Sequence, residues 1–537
     1  MSADTAAPLP NEWKPSFNPW LIAISIMLAT IIEVLDTSVA NVSLPYIAGN
    51  LSASTDEATW VLTSYLLSNA IILPATNWLG QVFGRKRFLI GCIILFTFAS
   101  ALCGIAGSLG FLIMARVLQG AAGGALMPIS QAVLMESFPP AKRGIAMAVF
   151  TMGIVVAPIL GPIIGGWLTY NYSWRWAFYI NLPVGILATV LCRAFLEDPP
   201  YLKRSSAANI DYLGFGLLGI WLASLQIMLD KGQELDWFGS RMIVWCAVIA
   251  AVGFIAFLVR ELVTAHPIVD LRIFKNRNFA IGNVLMLLIG ALLYATIAIL
   301  PLFMQNLLHY TALAAGMAMT PFGIGAFTAT IIVGRIAGHI SNRVLIIISC
   351  LLFGYSSFAL GNINLQVAPA NLLWPIIISG VGASSMYVPV ATSAMGTLSQ
   401  DQMGNAAGIF NLMRNIGGSI GIATITTLVT RHAQASQANL VGHMSKFNFN
   451  FQQQLAHLQT ALASNTGNWA AAKKSLAVLY GTLQQQSSLL SYVYAFRFCV
   501  LVSLVCAALA LLFKKVGKPT DPMKLLPQIT PSRAEAR

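Results

Sequence analysis

Long apolar stretches separated by short polar loops recur along nearly the whole chain. Each stretch is about 20 residues long, which is the length of an α-helix that crosses the hydrocarbon core of a bilayer. The pattern predicts fourteen spans, near residues 20–44, 58–79, 88–107, 110–133, 145–168, 177–196, 212–229, 242–260, 279–303, 313–334, 344–362, 371–396, 405–430 and 492–513. The expected fold class is therefore an all-α polytopic membrane protein.

The amino-acid composition supports a membrane protein and changes the interpretation of the net charge. Of 537 residues, 57% are hydrophobic and only 9% are charged, against about 25% charged residues in soluble domains. The formal net charge of +13 could suggest nucleic acid as a partner. The basic residues, however, form short clusters between apolar stretches rather than a stripe interleaved with aromatic residues, so no nucleic-acid partner is expected.

Lysine and arginine residues collect in alternate loops, which predicts the orientation of the chain in the membrane. The loops 45–57 and 363–370 contain no basic residue. The opposite side of the predicted bundle collects Arg85, Lys86, Arg87, Lys142, Arg143, Lys203, Arg204, Arg272, Lys275, Arg277, Arg335, Arg343, Lys514, Lys515 and Lys518. Because cytoplasmic loops are enriched in basic residues, both termini are predicted to face the cytoplasm.

An internal repeat predicts two related halves. Residues 77–86 and 334–343 each combine glycine with a basic end just before an apolar stretch. Their positions correspond if the seventh and eighth spans are an insertion, and secondary transporters use such parallel repeats. The predicted organisation is a cytoplasmic tail at 1–18, an N-terminal six-helix half at 19–196, a linker with two extra spans at 197–262, a C-terminal six-helix half at 263–513 and a cytoplasmic tail at 514–537.

One large segment, residues 431–491, lies outside the predicted spans on the extracytoplasmic side. It is rich in Gln, Ala, Leu and Ser, and it contains no cysteine. Stretches at 450–463 and 469–485 have the spacing of amphipathic helices. Two interpretations remain open, a solvated cap and a docking surface for a periplasmic partner.

Ionisable residues inside apolar spans are the strongest functional signal of the sequence. Glu33 and Asp36 are three residues apart in the first span, so they lie on one face of a helix. Because two carboxylates in a low-dielectric environment resist joint ionisation, at least one is expected to hold a proton near neutral pH. This pattern favours proton coupling. The alternative is a single ion pair between helices, with Arg116 or Arg414 as the partner.

Arg116 lies in the fourth span, three residues before Gln119 and a run of small residues at 120–124. An arginine at this depth must face a carboxylate or water, and Asp36 is the nearest plausible counter-ion. The alternative is an arginine that only locks helices together.

The fifth span carries an unusual series of helix-weakening residues: Gly153, Pro158, Gly161, Pro162, Gly165 and Gly166. Proline removes a backbone hydrogen bond and glycine adds conformational entropy. We expect a bendable hinge that also packs closely against a partner helix. The alternative is that the glycines only fill a crowded helix interface.

Five motifs together give the chain a family resemblance. They are the first-span sequence at 35–45, the fourth-span RxxQG motif that begins at Arg116, the fifth-span GxxxxPxxGPxxGG motif at 153–166, and the segments 173–183 and 225–238. The chain resembles the major facilitator superfamily, specifically its fourteen-helix drug:proton antiporter branch of EmrB/QacA-like permeases, and most closely the EmrB type of Gram-negative inner membranes.

The resemblance implies a fold, a site and partners. It implies a major facilitator fold of two six-helix halves plus two extra central helices. It implies proton coupling at Asp36, assisted by Glu33, with Arg116 modulating it, and export rather than import from the fifth-span motif. A periplasmic membrane-fusion adaptor and an outer-membrane channel are the implied partners.

The loop between the second and third spans departs from the family pattern. The family carries an aspartate where this chain has Gln81, whereas Gly84, Arg85 and Lys86 are retained. We expect the retained residues, with the glycines and prolines of the fifth span, to act in conformational gating, and we expect no acid–base role for Gln81.

The predicted function is export of amphiphilic toxic compounds in exchange for protons across the bacterial inner membrane. A membrane potential supplies roughly 2.3 kcal/mol per charge per 100 mV, and the sequence contains no G-x-x-x-x-G-K-[ST] motif for ATP. Enzyme signatures such as H-E-x-x-H and G-x-S-x-G are also missing. The alternative is a proton-coupled uptake symporter for a nutrient or a metal complex.

No cofactor and no metal site are expected. The six histidines are scattered, and the seven cysteines lie in or beside apolar stretches without a C-x-x-C pair. The substrates expected are small hydrophobic or amphiphilic molecules. Candidate residues for a soft, apolar cavity are Gln119, Met127, Gln131, Tyr294, Met304, Met386 and Tyr387. Ordinary helix packing is the equally open interpretation of these positions.

Overall fold

The computed structural model describes residues 15–139, 142–198, 211–264, 267–336, 340–399, 402–442, 444–445, 447–466 and 468–514. These residues form α-helices joined by short loops, with no β-strand among them. Most of the two predicted tails lies outside these ranges, as do Lys203, Arg204, Lys515 and Lys518. The side chains of Pro158 and Pro162 also lie outside the described residues.

Nineteen α-helices occur in the described part of the chain. They are α1 (Pro19–Asn50), α2 (Thr55–Ala58), α3 (Trp60–Phe83), α4 (Arg85–Gly104), α5 (Leu109–Gly123), α6 (Leu126–Ser137), α7 (Arg143–Asn171), α8 (Trp176–Tyr179), α9 (Asn181–Phe195), α10 (Tyr212–Lys231), α11 (Arg241–Val263), α12 (Arg277–Asn306), α13 (Ala312–Ala318), α14 (Thr320–Ile336), α15 (Asn342–Leu360), α16 (Pro369–Met395), α17 (Met403–Val441), α18 (Phe449–Thr466) and α19 (Asn468–Ala510).

Eleven helical segments of the described chain are long and apolar enough to cross a membrane. Three other predicted spans, near 58–79, 145–168 and 405–430, coincide with the long helices α3, α7 and α17, which are not among the eleven. In α3 and α17 the buried faces carry polar side chains, such as Asn69 and Asn411. These polar positions lower the hydropathy of helices that face the interior of a bundle rather than lipid.

Helix α1 begins where local chemistry favours a helix start. The Asn18 side chain accepts a hydrogen bond from the Trp20 backbone N–H at 3.0 Å, which satisfies one of the free amides of the first turn. Pro19 occupies the first helical position, where its missing N–H has no cost. From this start α1 runs for 32 residues and packs against α6, α7 and α9.

Two sets of helices repeat the same packing. In the first set, α1 packs on α7, α3 on α5 and α4 on α9; in the second, α12 packs on α17, α14 on α16 and α15 on α19. Contacts between the sets run from α3 to α17 and from α7 to α14. The pair α10 and α11 pack on each other and reach the sets through α3 and α17.

Glycines of α7 allow a close approach to α1. A Cβ atom on Gly161 would lie 2.2 Å from the Ser38 Oγ, and one on Gly165 would lie 3.0 Å from a Val39 side-chain carbon. A Cβ on Gly153 would meet Ile31 at 3.1 Å. The glycines therefore pack α7 against α1, while the hinge hypothesis stays a prediction.

The segment predicted at 431–491 is continuous with two long helices. Helix α17 extends into it from one side and α19 from the other, and α18 lies between them and packs on α19. The two stretches predicted as amphipathic helices fall within α18 and α19. The Gln437 side chain donates to the Tyr480 hydroxyl at 3.0 Å, so α17 and α19 remain in contact beyond the bundle.

We predict that Gly161→Ala destabilises the protein and that Gly166→Ala does not. The added methyl at position 161 would overlap Ser38, and such overpacking costs about 1–3 kcal/mol. At position 166 the nearest atom would be 3.9 Å away, so the control should be neutral or gain up to about 1 kcal/mol from helix propensity. Thermal unfolding in detergent measures both. Equal unfolding temperatures for the two variants would contradict close packing at Gly161.

Candidate functional site

Asp36 is held by three donors in the interior of the first helix set. The Arg116 Nη1 donates to Asp36 Oδ2 at 2.5 Å. Gln119 Nε2 and Asn181 Nδ2 donate to Oδ1 at 2.8 and 2.7 Å. All four residues are buried. One charged partner and two amide donors therefore compensate the carboxylate at a place where water does not reach it.

Arg116 is positioned by further contacts that leave little freedom. Its Nε donates to the Val61 carbonyl at 3.0 Å, and its guanidinium carbon lies 4.2 Å from the centre of the Tyr65 ring, in reach of a cation–π interaction. Gln119 Oε1 accepts from Arg116 at 2.8 Å. Because the cation is fixed by neighbouring helices, protonation of Asp36 must disrupt a built network rather than an isolated contact.

Glu33 lies on the same helix as Asp36 but has different partners. Its Oε1 accepts from Asn69 Nδ2 at 3.1 Å, and its Oε2 has no hydrogen-bond partner within the described chain. Arg116 pairs with Asp36 and not with Glu33. One turn of α1 thus separates two carboxyl groups with unlike surroundings.

A second polar cluster joins the two helix sets through α17. Asn411 Nδ2 donates to Gln131 Oε1 at 2.6 Å, and Asn415 Nδ2 lies 3.4 Å from Asn69 Oδ1. Arg414 is buried on the same helix, and its electrostatic neighbours include Glu33 and two tyrosines. These contacts form a polar layer between α3, α6 and α17.

Some of the predicted substrate residues line this layer. Gln131 and Tyr387 are buried there, and the Tyr387 ring lies 6.0 Å from that of Phe410 on α17. Tyr294 packs so closely on α17 that a Cβ on Gly418 would lie 2.7 Å from its ring. Met127 is buried beside Glu33.

Two other predicted substrate residues lie elsewhere. Gln119 belongs to the Asp36 cluster, where both ends of its amide are engaged, so it positions the pair instead of lining the layer. Met304 is buried on the same helix as Tyr294, α12. The helical rise of about 1.5 Å per residue places it about 15 Å further along the axis.

Sequence reasoning did not find several polar residues of these clusters. Asn181, Asn69, Asn411 and Asn415 were missed, and Arg414 was considered only as an ion-pair partner. Asparagine inside an apolar helix is a signal that could have found the first four, because amides at such depth need hydrogen-bond partners.

The gating loop predicted around Gly84 has a carboxylate partner that the sequence did not indicate. Gly84 has a positive φ of 85°, a conformation that glycine adopts without strain. Arg85 Nη1 donates to Glu136 Oε2 at 2.5 Å, with both side chains nearly inaccessible. The Lys86 backbone N–H donates to Asp198 at 2.7 Å. The carboxylates that contact this loop, Glu136 and Asp198, therefore come from other segments of the chain. Position 81 of the loop itself is Gln.

Comparison with known proteins supports a transporter of one family. A sequence profile described as Major Facilitator Superfamily matches residues 26–422. The chain is similar to the fatty acid resistance protein FarB of Neisseria gonorrhoeae, with 36% identity over 470 residues, which is 87% of this chain and 90% of that protein. It is also similar to the multidrug export protein EmrB of Escherichia coli K12, with 37% identity over 440 residues, which is 82% of this chain and 86% of that one.

A solved structure shares the fold at low sequence identity. The crystal structure of the human organic anion transporter MFSD10 (TETRAN) aligns with a TM-score of 0.57 and 13% identity, covering 91% of this chain and 100% of that chain. At this identity the likeness supports the helical architecture alone.

We predict that Arg116→Gln destabilises the protein more than the double variant Arg116→Gln with Asp36→Asn. The single change leaves a buried carboxylate without its cation, which typically costs about 3–5 kcal/mol. The double change removes both charges and keeps two neutral side chains of similar shape. Denaturant unfolding of the purified variants measures the difference. A double variant no more stable than the single one would contradict an energetically coupled Asp36–Arg116 pair.

Proposed function

The chain belongs to the Major Facilitator Superfamily, in its EmrB-like drug efflux branch, and from this premise we propose that it exports amphiphilic compounds across the bacterial inner membrane by exchange for protons. The profile match and the similarity to a relative named as a multidrug export protein support efflux. The observation that carries the proton coupling is the buried Asp36–Arg116 pair with its two amide donors.

The pair can hold or release a proton according to the position of its cation. Arg116 against Asp36 favours the ionised carboxylate, whereas withdrawal of the guanidinium would leave a buried carboxyl that favours its neutral form. Alternating exposure to the two sides of the membrane would then load a proton from outside and release it inside. Substrate competes with the proton by selecting the conformation of the deprotonated state.

The membrane arrangement that we propose has fourteen spans and cytoplasmic termini. The long helices α3, α7 and α17 supply the three spans beyond the eleven apolar segments. The recurring packing pairs support two six-helix halves, residues 19–196 and 263–513, with α10 and α11 in the linker 197–262. The basic residues of alternate loops support the orientation.

Membership of a transporter family supports transport without enzymatic turnover. Proton-coupled uptake remains the second candidate, and the direction of proton movement separates the two. Exchange releases protons from the protein when substrate binds, whereas symport takes them up.

We predict that Asp36→Asn abolishes substrate-induced proton release from the purified protein while substrate still binds. Asparagine keeps the shape and hydrogen-bonding capacity of the site but cannot exchange a proton. Glu33→Gln should give a smaller loss, because Glu33 lies outside the Arg116 network. Glu57→Gln is the control, since that carboxyl is exposed and accepts from Ser54.

Proton release is recorded with a pH-sensitive dye at matched protein concentration, and binding is recorded in parallel. Normal proton release by Asp36→Asn would place the coupling site elsewhere. Proton uptake by the unmodified protein would favour the symporter.

We propose that the segment 431–491 contacts a periplasmic membrane-fusion adaptor of a tripartite system that ends in an outer-membrane channel. Phe447, which precedes α18, and Phe449, the first residue of α18, are 99% and 78% exposed. Large exposed apolar groups side by side are typical of an interaction surface. The docking interpretation of this segment therefore has a specific chemical basis.

We predict that Phe447→Ser combined with Phe449→Ser weakens capture of the adaptor at least about tenfold, because aromatic anchors each contribute about 1–2 kcal/mol or more at interfaces. The control replaces the exposed pair Gln485 and Gln486 on α19 with serine. Pull-down of a tagged adaptor from detergent-solubilised membranes measures the effect. Unchanged capture by the phenylalanine variant, at equal expression, would exclude the start of α18 as the docking surface.

A further inference from the structure

The Arg414 guanidinium is buried and has no carboxylate within salt-bridge distance among the described residues. Arg414 is 4% exposed. Its Nε and Nη1 have no hydrogen-bond partner among the described residues, and its Nη2 reaches Asn415 only at 3.5 Å. Arg116, by contrast, meets Asp36 directly. A buried arginine without a direct counter-ion is costly, so its retention at this depth needs a reason.

Other buried hydrogen-bond donors lie beside Arg414. Within the described residues, Tyr387 Oη and Gln131 Nε2 make no hydrogen bond of good geometry, although both side chains are buried. Tyr387 is nevertheless close enough to Arg414 and to Gln131 for a weak hydrogen bond with each. Three donor groups from α6, α16 and α17 therefore surround one region between the two helix sets.

Glu33 faces the same region from the opposite wall. It is the acidic group among the electrostatic neighbours of Arg414, yet no salt bridge joins the two side chains in the described chain. Glu33 is bonded to Asn69 instead. The region is therefore bipolar, with a carboxyl on α1 and a guanidinium on α17.

We propose that Arg414 is the anion-recognition residue of this central site and binds the carboxylate of acidic amphiphiles, with Gln131 and Tyr387 as additional donors. This inference rests on the proposed export function. A guanidinium with no carboxylate in direct contact fits the two oxygens of a ligand carboxylate. The aromatic rings of Tyr294 and Tyr387 offer apolar surface to the remainder of such a ligand. In its ionised form, Glu33 repels a bound anion because the two charges have the same sign.

The test uses three ligands that share a ring system and differ in head group: 2-naphthoate, 2-naphthamide and 2-naphthylmethylammonium. Binding to the purified full-length protein in nanodiscs is measured by calorimetry at neutral pH. The variants are Arg414→Gln, Arg414→Lys and Glu33→Gln. Arg431→Gln is the matched control, because Arg431 lies on the same helix with its side chain 61% exposed.

Arg414→Gln is expected to weaken 2-naphthoate about ten- to a hundredfold, the effect of losing a charge-assisted hydrogen bond, and to leave 2-naphthamide within about twofold. Arg414→Lys should lie between, because lysine keeps the charge but not the two-pronged geometry. Glu33→Gln should tighten 2-naphthoate and weaken 2-naphthylmethylammonium. The control should bind all three like the unmodified protein.

An equal loss for all three ligands in Arg414→Gln, or no loss for 2-naphthoate, would overturn the anion site. If Arg414→Gln does not fold, the binding data of Glu33→Gln test the proposal. Affinities for the anion and the cation that change in the same direction in this variant would overturn the anion site. Transport is scored separately. If the unmodified protein exports the amide in exchange for protons but treats all three head groups alike, the anion site is wrong. The proposed export function is then still supported. Unmodified protein that exports none of the three defeats the proposed function.

Discussion

An ionised side chain buried away from water needs a compensating charge and hydrogen bonds, and the Asp36–Arg116 pair is where this requirement shapes the fold most. Asp36 comes from α1 and Arg116 from α5. Asn181 of α9 and the Val61 carbonyl of α3 complete the hydrogen bonding. Four helices are thus held to one point in the first set. The glycine contacts of α7 with α1 add a fifth helix to the same region.

The contacts between the two helix sets are of a different kind. The buried ion pairs of the described chain, Arg116–Asp36 and Arg85–Glu136, join α5 to α1 and α4 to α6, all helices of the N-terminal part of the chain. Neutral amides make the contacts through α17, by Asn411 to Gln131 and Asn415 to Asn69. A neutral hydrogen bond contributes only about 1 kcal/mol net, whereas a buried ion pair is costly to break. In the proposed exchange mechanism, this division would let the two sets separate while the ion pairs of the N-terminal part stay intact.

Helix α1 links the two clusters that the proposed function requires. Asp36 faces the Arg116 network and Glu33, one turn earlier, faces the polar layer with Arg414. A small shift or rotation of α1 would change the surroundings of both carboxyl groups at once. Coupling between proton and substrate then needs no long pathway, because one rigid element carries both groups and its position is biased by either ligand.

The sequence by itself determined the local features of this protein, and the tertiary structure decided which distant residues meet. Helical periodicity placed Glu33 and Asp36 on one face, and apolar length predicted helices that the structure contains, because both depend on residues close in the chain. Asp36 and Arg116 are 80 residues apart in the sequence, and helix packing brings them into contact. The same holds for Glu136 beside Arg85 and for the amides of α17. Pairing at such separations depends on how helices are arranged in space, which local pattern does not specify.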